Sequence, residues 1–292
     1  MQYTIANKAK ASFNDIYNAP TPHAYLAKMT RLGYRIGDYA TPFFSRAIDH
    51  AQRRNGPLGS PTILDVGCSY GIGSALVLHQ TNYDSLSAFF TSEETESVDA
   101  CIARTTQWLS RRRPTDAKCI GLDQAKNAVA FAKAVGLVEQ GITKNLEDGE
   151  TLSDEESTHI QRCNLLFSTG VIGYVGPKTL SPVLAQLGEA TPENVGPLIV
   201  TTILRMFDPS PIITCFQEHG FRFERLWHPP LPQRNFESTE EQQQTLALLK
   251  QRRVNTDELE STGQLYADIY VGARPADFVE FTAALIGEVI MA

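Results

Sequence analysis

The chain has 292 residues, 42% hydrophobic and 20% charged, so it can bury one large core with additions and lacks the composition for long disorder. Its 26 Lys and Arg face 33 Asp and Glu for a formal charge of −7; the nearest approach to a basic run, Arg111-Arg112-Arg113, ends a helical stretch where cations meet the dipole, which excludes nucleic acid as a partner. Five scattered cysteines (Cys68, Cys101, Cys119, Cys163, Cys215) without metal-ligand spacing, no apolar run of ~18 residues and no apolar signal core at the start predict a cytoplasmic protein with neither metal nor membrane contact.

Two short helices are expected first, because Thr21-Pro22 and Thr41-Pro42 each set a capping hydroxyl before a proline suited to a first turn. They form a helical cap over residues 1–58, ended by "NGPLGSP" at 55–61. A Rossmann-like core over 59–275 follows, opening with a strand at 62–66 and a helix from about Ile72. Residues 81–116 exceed what one crossover needs. "YDSLSAFF" and "EETESVDACIARTTQWLSRRR" read as two inserted helices with Asp84 and Ser92 as caps, either surface decoration or a wall of the active site.

Strands and helices then alternate: "KCIGLD", a helix from about Gln124, "NLLFST", a helix near 179–188, and "PLIVTTIL". Near-continuous apolar strands separated by helices predict a parallel, doubly wound α/β sheet. "FRFERLW" (221–227) and "LYADIYVG" (265–272) read as two further strands around the polar helix "STEEQQQTLALLKQRR". The helical tail, 276–292, has Phe278, Phe281, Leu285 and Val289 on one stripe, to be buried on its own domain or across a homodimer.

The chemistry centres on "ILDVGCSYGIGSA" at 63–75, a strand ending in Asp65-Val66-Gly67, then Ser69, Gly71 and Gly73 entering a helix. Glycine there leaves room for a ligand against the main chain. A dinucleotide loop would present a helix N-terminus to pyrophosphate, but Asp65 would repel one at close range. Asp123, closing the next strand, suits a ribose diol. S-adenosylmethionine combines an amino acid, a ribose and an adenine, and matches this set; the alternative is a purely structural turn.

At these residues the chain resembles the class I S-adenosylmethionine-dependent methyltransferases, through "LDVGCSYGIG", "GLDQAKNAVAFAKAVGL" and "NLLFSTGVIGYVG". The resemblance covers roughly residues 60–275. It implies a seven-stranded sheet with an antiparallel last strand near "LYADIYV", Asp65, Gly67, Ser69 and Gly71 along the methionine and ribose side, and Asp123 on the ribose hydroxyls. It also implies Asn145, Leu146 and Glu147 near the adenine or the methionine carboxylate, and Ser168 as a further cofactor contact.

The fourth strand ends in Ser168-Thr169-Gly170 with no acid or histidine; a base for an external acceptor would have to come from the cap, from His23, Tyr25 or Tyr34. Tyr174, between Gly173 and Gly176, can face a sulfonium with its ring. A narrower resemblance, through "FNDIYNAPTPHAYLAKM", "STGVIGYV", "TILRMFDPSPI" and "LYADIYVGARP", is to a subgroup of methyltransferase-like proteins of secondary metabolism that includes azetidine-2-carboxylate synthases. It implies that Asn145, Tyr174 and Thr201 hold the amine of S-adenosylmethionine for attack on its own γ-carbon; the synthase pattern has serine where Thr201 stands. The expected function is methyl transfer to a small molecule, with cyclisation of S-adenosylmethionine and a non-catalytic cofactor-binding partner as the alternatives.

Overall fold

Each central strand is an apolar run that ends where the chain turns polar or meets glycine. β1 (Thr62–Val66), β2 (Lys118–Leu122), β4 (Leu165–Ile172) and β5 (Leu198–Leu204) are buried over most or all of their length, as strands covered on both faces must be. In the computed structural model, which describes residues 14–56, 59–91, 97–112, 114–188 and 196–286, they join β3 (Gln140–Ile142), β6 (Arg222–Arg225), β7 (Leu231–Asn235) and β8 (Gln264–Ala273) in one eight-stranded sheet.

The strand order is β3-β2-β1-β4-β5-β8-β6, with β7 also on β8. Pairing is parallel from β3 to β5, and β8 runs antiparallel to β5. This is the doubly wound, Rossmann-like sheet expected, with its antiparallel last strand. The order reverses between β1 and β4, and the crevice at their carboxyl ends is where such sheets bind ligands.

The eighth strand departs from the seven expected. Ten-residue β8 carries two short partners end to end, β6 on Tyr270–Ala273 and β7 on its first residues. "LPQRN" follows a proline pair, holds a further proline at Pro232 and has no apolar alternation, so it has no strand signal of its own. It becomes a strand because β8 offers it an unpaired edge.

The cap is three helices among the described residues: α1 (Asn14–Tyr17), α2 (His23–Arg31) and α3 (Ile36–Asn55). Here two expectations need correction. Thr21 does not cap α2; its hydroxyl meets the His23 ring at 2.9 Å. The third helix starts at Ile36, not at Thr41-Pro42, and Pro42 lies inside it, with the Thr41 hydroxyl donating to the Gly37 carbonyl at 2.8 Å. Packing overrides the local start signal: α3 buries Phe43, Phe44, Ala47, Ile48 and Ala51 against the sheet, with Phe44 stacked on Phe167 of β4 at 4.3 Å.

After β1 come α4 (Ile72–Leu78) and the inserted helices α5 (Tyr83–Thr91) and α6 (Val98–Ser110). The cap of α5 is Asn82, whose side chain accepts from the Ser85 amide at 2.8 Å. Asp84 instead pairs with Arg35 at 2.9 Å. Ser97 caps α6; Ser92 lies outside the described residues. α5 packs on α2 of the cap, through His23 against Phe90 and Thr30 against Ser87 at 2.6 Å. The insertion thus supports the cap from behind.

The remaining helices are α7 (Lys126–Ala134), α8 (Asp154–Gln161), α9 (Pro177–Gln186), α10 (Ser210–Glu218), α11 (Thr239–Gln251) and α12 (Phe278–Ile286). The apolar stripe of α12 is buried on its own chain: Phe278, Phe281 and Leu285 join the core and the helix packs on α3. Val289 lies outside the described residues. Among those residues, no helix is long and apolar enough to cross a membrane.

Candidate active site

The loop after β1 is held in shape from below and from the side. Gly67 has φ +80° and a Cβ there would come within 2.6 Å of Val171, while its amide donates to the Leu122 carbonyl at 2.8 Å. Two residues on, the Ser69 amide donates to Oδ2 of Asp123 at 2.9 Å, and Oδ1 of Asp123 accepts from the Ala125 amide at 2.9 Å. The acid closing β2 is thereby tied to the glycine loop of β1. Burial raises its pKa and these main-chain donors oppose the rise.

Asp65 sits one layer deeper. It is 7% exposed, and among the described residues nothing hydrogen-bonds its carboxyl group. Burial, with the nearby Asp123 charge, pushes its pKa up to about 7. Asp65 lines a small cavity of about 30 Å³ beneath the loop, bounded also by Gly67, Ser69, Thr169 and Tyr34.

Above the loop opens the main cavity, about 310 Å³, a size suited to a small ligand. Its floor is Gly67, Ser69, Asp123, Gln124 and Ala125 from the β1 and β2 ends; Thr169, Gly170, Val171 and Tyr174 come from the β4 end. The cap supplies Tyr17, Asn18, Tyr25, Met29 and Tyr34, and β7 supplies Gln233 and Arg234. Tyr70 fixes the first of these by donating its hydroxyl to the Ala19 carbonyl at 2.9 Å, and Asn18 is bonded to Asn127 of α7 through two contacts of 2.8 Å.

The electrostatics are one-sided. The cation lining the cavity, Arg234, forms a bidentate pair with Glu241 at 2.6 and 2.9 Å, with both side chains buried. Burial pushes the Tyr17 hydroxyl up to about 12 and raises those of Tyr25, Tyr34 and Tyr174 further, so all four stay protonated at neutral pH. Ser69 Oγ and Gln233 Oε1 are buried without a hydrogen-bond partner. The cavity therefore offers aromatic faces, neutral hydroxyls and one acid, Asp123, with its guanidinium already neutralised.

Of the residues singled out from the sequence, Gly67, Ser69, Asp123, Tyr174, Tyr25 and Tyr34 meet in this cavity. The others stand elsewhere. Gly71, at φ +74°, starts α4 and faces Leu137. Asn145 accepts from the Asp148 amide at 3.2 Å and Leu146 is in the core. Glu147 accepts from the Gly176 and Thr179 amides at 2.6 and 3.2 Å, anchoring the start of α9 just after Tyr174. Ser168 and Thr201 are each 1% exposed and are joined by the Thr201 hydroxyl donating to the Ser168 carbonyl at 3.1 Å. His23 is turned to Phe90. Gln233 and Arg234 carry no sequence signal. Among the described residues no group of His, Cys, Asp or Glu is arranged to hold a metal ion.

No family description and no curated protein sequence matches this chain. Solved structures do. The plantazolicin methyltransferase BamL, in complex with a triazolic desmethylPZN analogue and S-adenosylhomocysteine, is 11% identical over 94% of this chain and 99% of its own, with a TM-score of 0.43. Magnesium protoporphyrin IX methyltransferase from Synechocystis PCC 6803 with bound S-adenosylmethionine is 12% identical over 80% of each chain, with a TM-score of 0.35. The [4+2]-cyclase SpnF is 12% identical over 79% of this chain and 80% of its own, with a TM-score of 0.36.

Proposed function

We propose that this protein binds S-adenosylmethionine in the crevice of β1, β2 and β4 and is a small-molecule methyltransferase of secondary metabolism. The observation that carries the reading is the charge of the cavity: the half-buried acid Asp123 on its floor, with Asp65 in the small cavity beneath, and an arginine already engaged by Glu241. A pyrophosphate would be repelled there, whereas a nucleoside carrying a sulfonium and an ammonium is attracted.

The residues present fit that group. Asp123 uses one lone pair of each oxygen on the Ser69 and Ala125 amides and keeps others for a ribose diol. Ser69 Oγ awaits a partner. Gly67 lines the cavity with its main chain, and its missing Cβ lets Val171 of β4 close in beside it. Bound S-adenosylmethionine supplies an electrophilic carbon and a neutral thioether leaving group. The rings of Tyr17, Tyr34 and Tyr174 stabilise positive charge by about 0.5–2 kcal/mol per well-placed face, and the cap and β7 keep bulk water off the reacting atoms.

A second reading, azetidine-2-carboxylate synthesis, has support of its own: the described lining residues include no histidine or lysine to activate an external acceptor, and the tyrosines stay protonated. In that reaction the amino nitrogen of the ligand bonds to its own γ-carbon, the carbon–sulfur bond breaks and methylthioadenosine leaves. The proton released by the ammonium needs a base, and Asp65, with a pKa near 7 under the glycine loop, is suited to take it.

Incubation with S-adenosylmethionine alone separates the readings. Methylthioadenosine plus azetidine-2-carboxylate supports cyclisation. S-adenosylhomocysteine formed only when an acceptor is added supports methyl transfer, and binding in calorimetry without turnover supports a non-catalytic partner. No binding at all overturns the proposal.

A further inference from the structure

Gln233 and Arg234 are neighbours in β7, yet both line the cavity. Strict alternation in a strand sends neighbours to opposite faces, so something local has turned one of them. The register shows what: Pro232 pairs with Tyr266 and Arg234 with Leu265, adjacent residues of β8, which leaves Gln233 as the extra residue of a bulge. Bulges re-aim side chains and are frequent beside active sites.

The backbone at this bulge is held from the cap side. Arg35 donates its amide to the Gln233 carbonyl at 2.8 Å, and Asn235 donates to the Leu32 carbonyl at 2.7 Å. With its main chain fixed, the Gln233 side chain is 2% exposed, its Oε1 has no hydrogen-bond partner, and its Nε2 lies 3.5 Å from where a Gly170 Cβ would be. Gly170, at φ +70°, has no Cβ to crowd it or the Tyr34 hydroxyl. A side-chain carbonyl buried without a partner is destabilising unless a ligand completes it.

The sheet order says which part of a ligand that is. Asp123 marks the β2 end of the crevice and Gly170 the β4 end, two strand spacings or about 10 Å away. With the ribose on Asp123, the amino-acid arm reaches Gly170 and Gln233. The rings of Tyr34 and Tyr174 at that end favour a cation, and Arg234 is taken by Glu241. Resting on the reading of this cavity as an S-adenosylmethionine site, we propose that Gln233 binds the ammonium group of the ligand's amino-acid arm through its side-chain carbonyl, a binding role created by the β7 bulge.

The test uses two ligands and two variants of the full chain in calorimetry. S-adenosylhomocysteine has the amino-acid arm and methylthioadenosine lacks it. Gln233→Met should weaken S-adenosylhomocysteine roughly ten- to hundredfold, the loss of a hydrogen bond to a charged group, and leave methylthioadenosine within about twofold, inside the scatter of one weak contact. Gln233→Glu keeps the acceptor and the volume, and should bind S-adenosylhomocysteine at least as well as the wild type. Equal losses for both ligands, no loss for either, or a Gln233→Glu protein weaker than Gln233→Met would each overturn the assignment. Should Gln233→Met fail to fold, the Gln233→Glu comparison alone decides it. A wild-type protein that binds neither ligand removes the underlying reading and this proposal together, whereas normal wild-type binding with an indifferent Gln233 removes only the latter.

Discussion

Asp123 Oδ2 accepts the main-chain amide of Ser69 at 2.9 Å, so the acid that ends β2 also sets the shape of the loop that follows β1. One carboxylate serves as both strut and ligand acceptor. Asp123→Ala removes both roles. Each hydrogen bond lost to the ligand is worth roughly 0.5–1.5 kcal/mol net, so affinity for S-adenosylhomocysteine should fall about tenfold or more. Calorimetry reads the affinity, and a parallel drop in melting temperature reads the strut; unchanged affinity would leave Asp123 structural only.

Tyr174 lines the cavity and is 37% exposed as a residue, and desolvation raises the pKa of its hydroxyl above the ordinary tyrosine value, so it is protonated at neutral pH. If the ring face is what matters, Tyr174→Phe keeps most of the activity. Tyr174→Ala then loses about 2- to 30-fold in kcat, the equivalent of a 0.5–2 kcal/mol cation–π contact. A Phe variant as damaged as the Ala variant would assign the role to the hydroxyl.

Asp65 predicts a pH dependence whose sign follows from its raised pKa. The folded state holds the proton up to about pH 7, while the unfolded carboxyl releases it near pH 4. The stability contributed by the neutral form is therefore complete below pH 4, is lost as pH rises to 7, and is constant above. Asp65→Asn should be more stable than the wild type at pH 8 and level with it at pH 4, in urea titrations. For a ligand that brings an ammonium group toward Asp65 the trend reverses, because binding favours the ionised acid. Affinity for S-adenosylhomocysteine should rise from pH 5.5 to pH 7 in the wild type and stay flat in Asp65→Asn.

The Arg234–Glu241 pair, with side chains 1% and 4% exposed, should be costly to break and cheap to replace. Arg234→Met or Glu241→Gln alone leaves a buried group unpaired and should destabilise by about 3–5 kcal/mol. The double variant Arg234→Met/Glu241→Leu should recover most of that in chemical denaturation. Additive losses in the double variant would mean that the two side chains act independently.

Removal of the chain after Pro275 exposes the surface of α3 that Phe278, Phe281 and Leu285 cover. At about 1.5–3 kcal/mol per buried side chain, the truncated protein should melt several degrees lower and lose solubility. An unchanged melting temperature would show the helix to be dispensable.

The sequence by itself determined what depends on residues close together in the chain. Strands β1, β2, β4 and β5 are legible as apolar runs, and α11 as a polar helix after its Ser238 cap. The ligand loop is legible because an acid, a strand end and three glycines fall within nine residues, 65–73. Gly67, Ser69 and Asp123 are grouped by those signals alone. α10 was not legible, since "SPIITCFQE" reads as a β-branched apolar run; Asp208, accepting from the Ser210 amide at 3.0 Å, turns it into a helix.

Only the tertiary structure decided the rest of the site. β7 exists because β8 is long enough to carry a second partner, and Gln233 faces the cavity because of a bulge that a single strand cannot announce. Asp65 is a neutral-range acid because packing on all sides removes water from it, although the sequence shows only that it precedes glycine. Arg234 is neutralised by Glu241 across a turn, and the seating of Tyr17 and Tyr34 depends on α5, α7 and Tyr70, whose contacts cross 50 to 110 residues of chain. Local chemistry is written in neighbouring residues, but burial and charge balance are properties of surfaces brought together from distant ones.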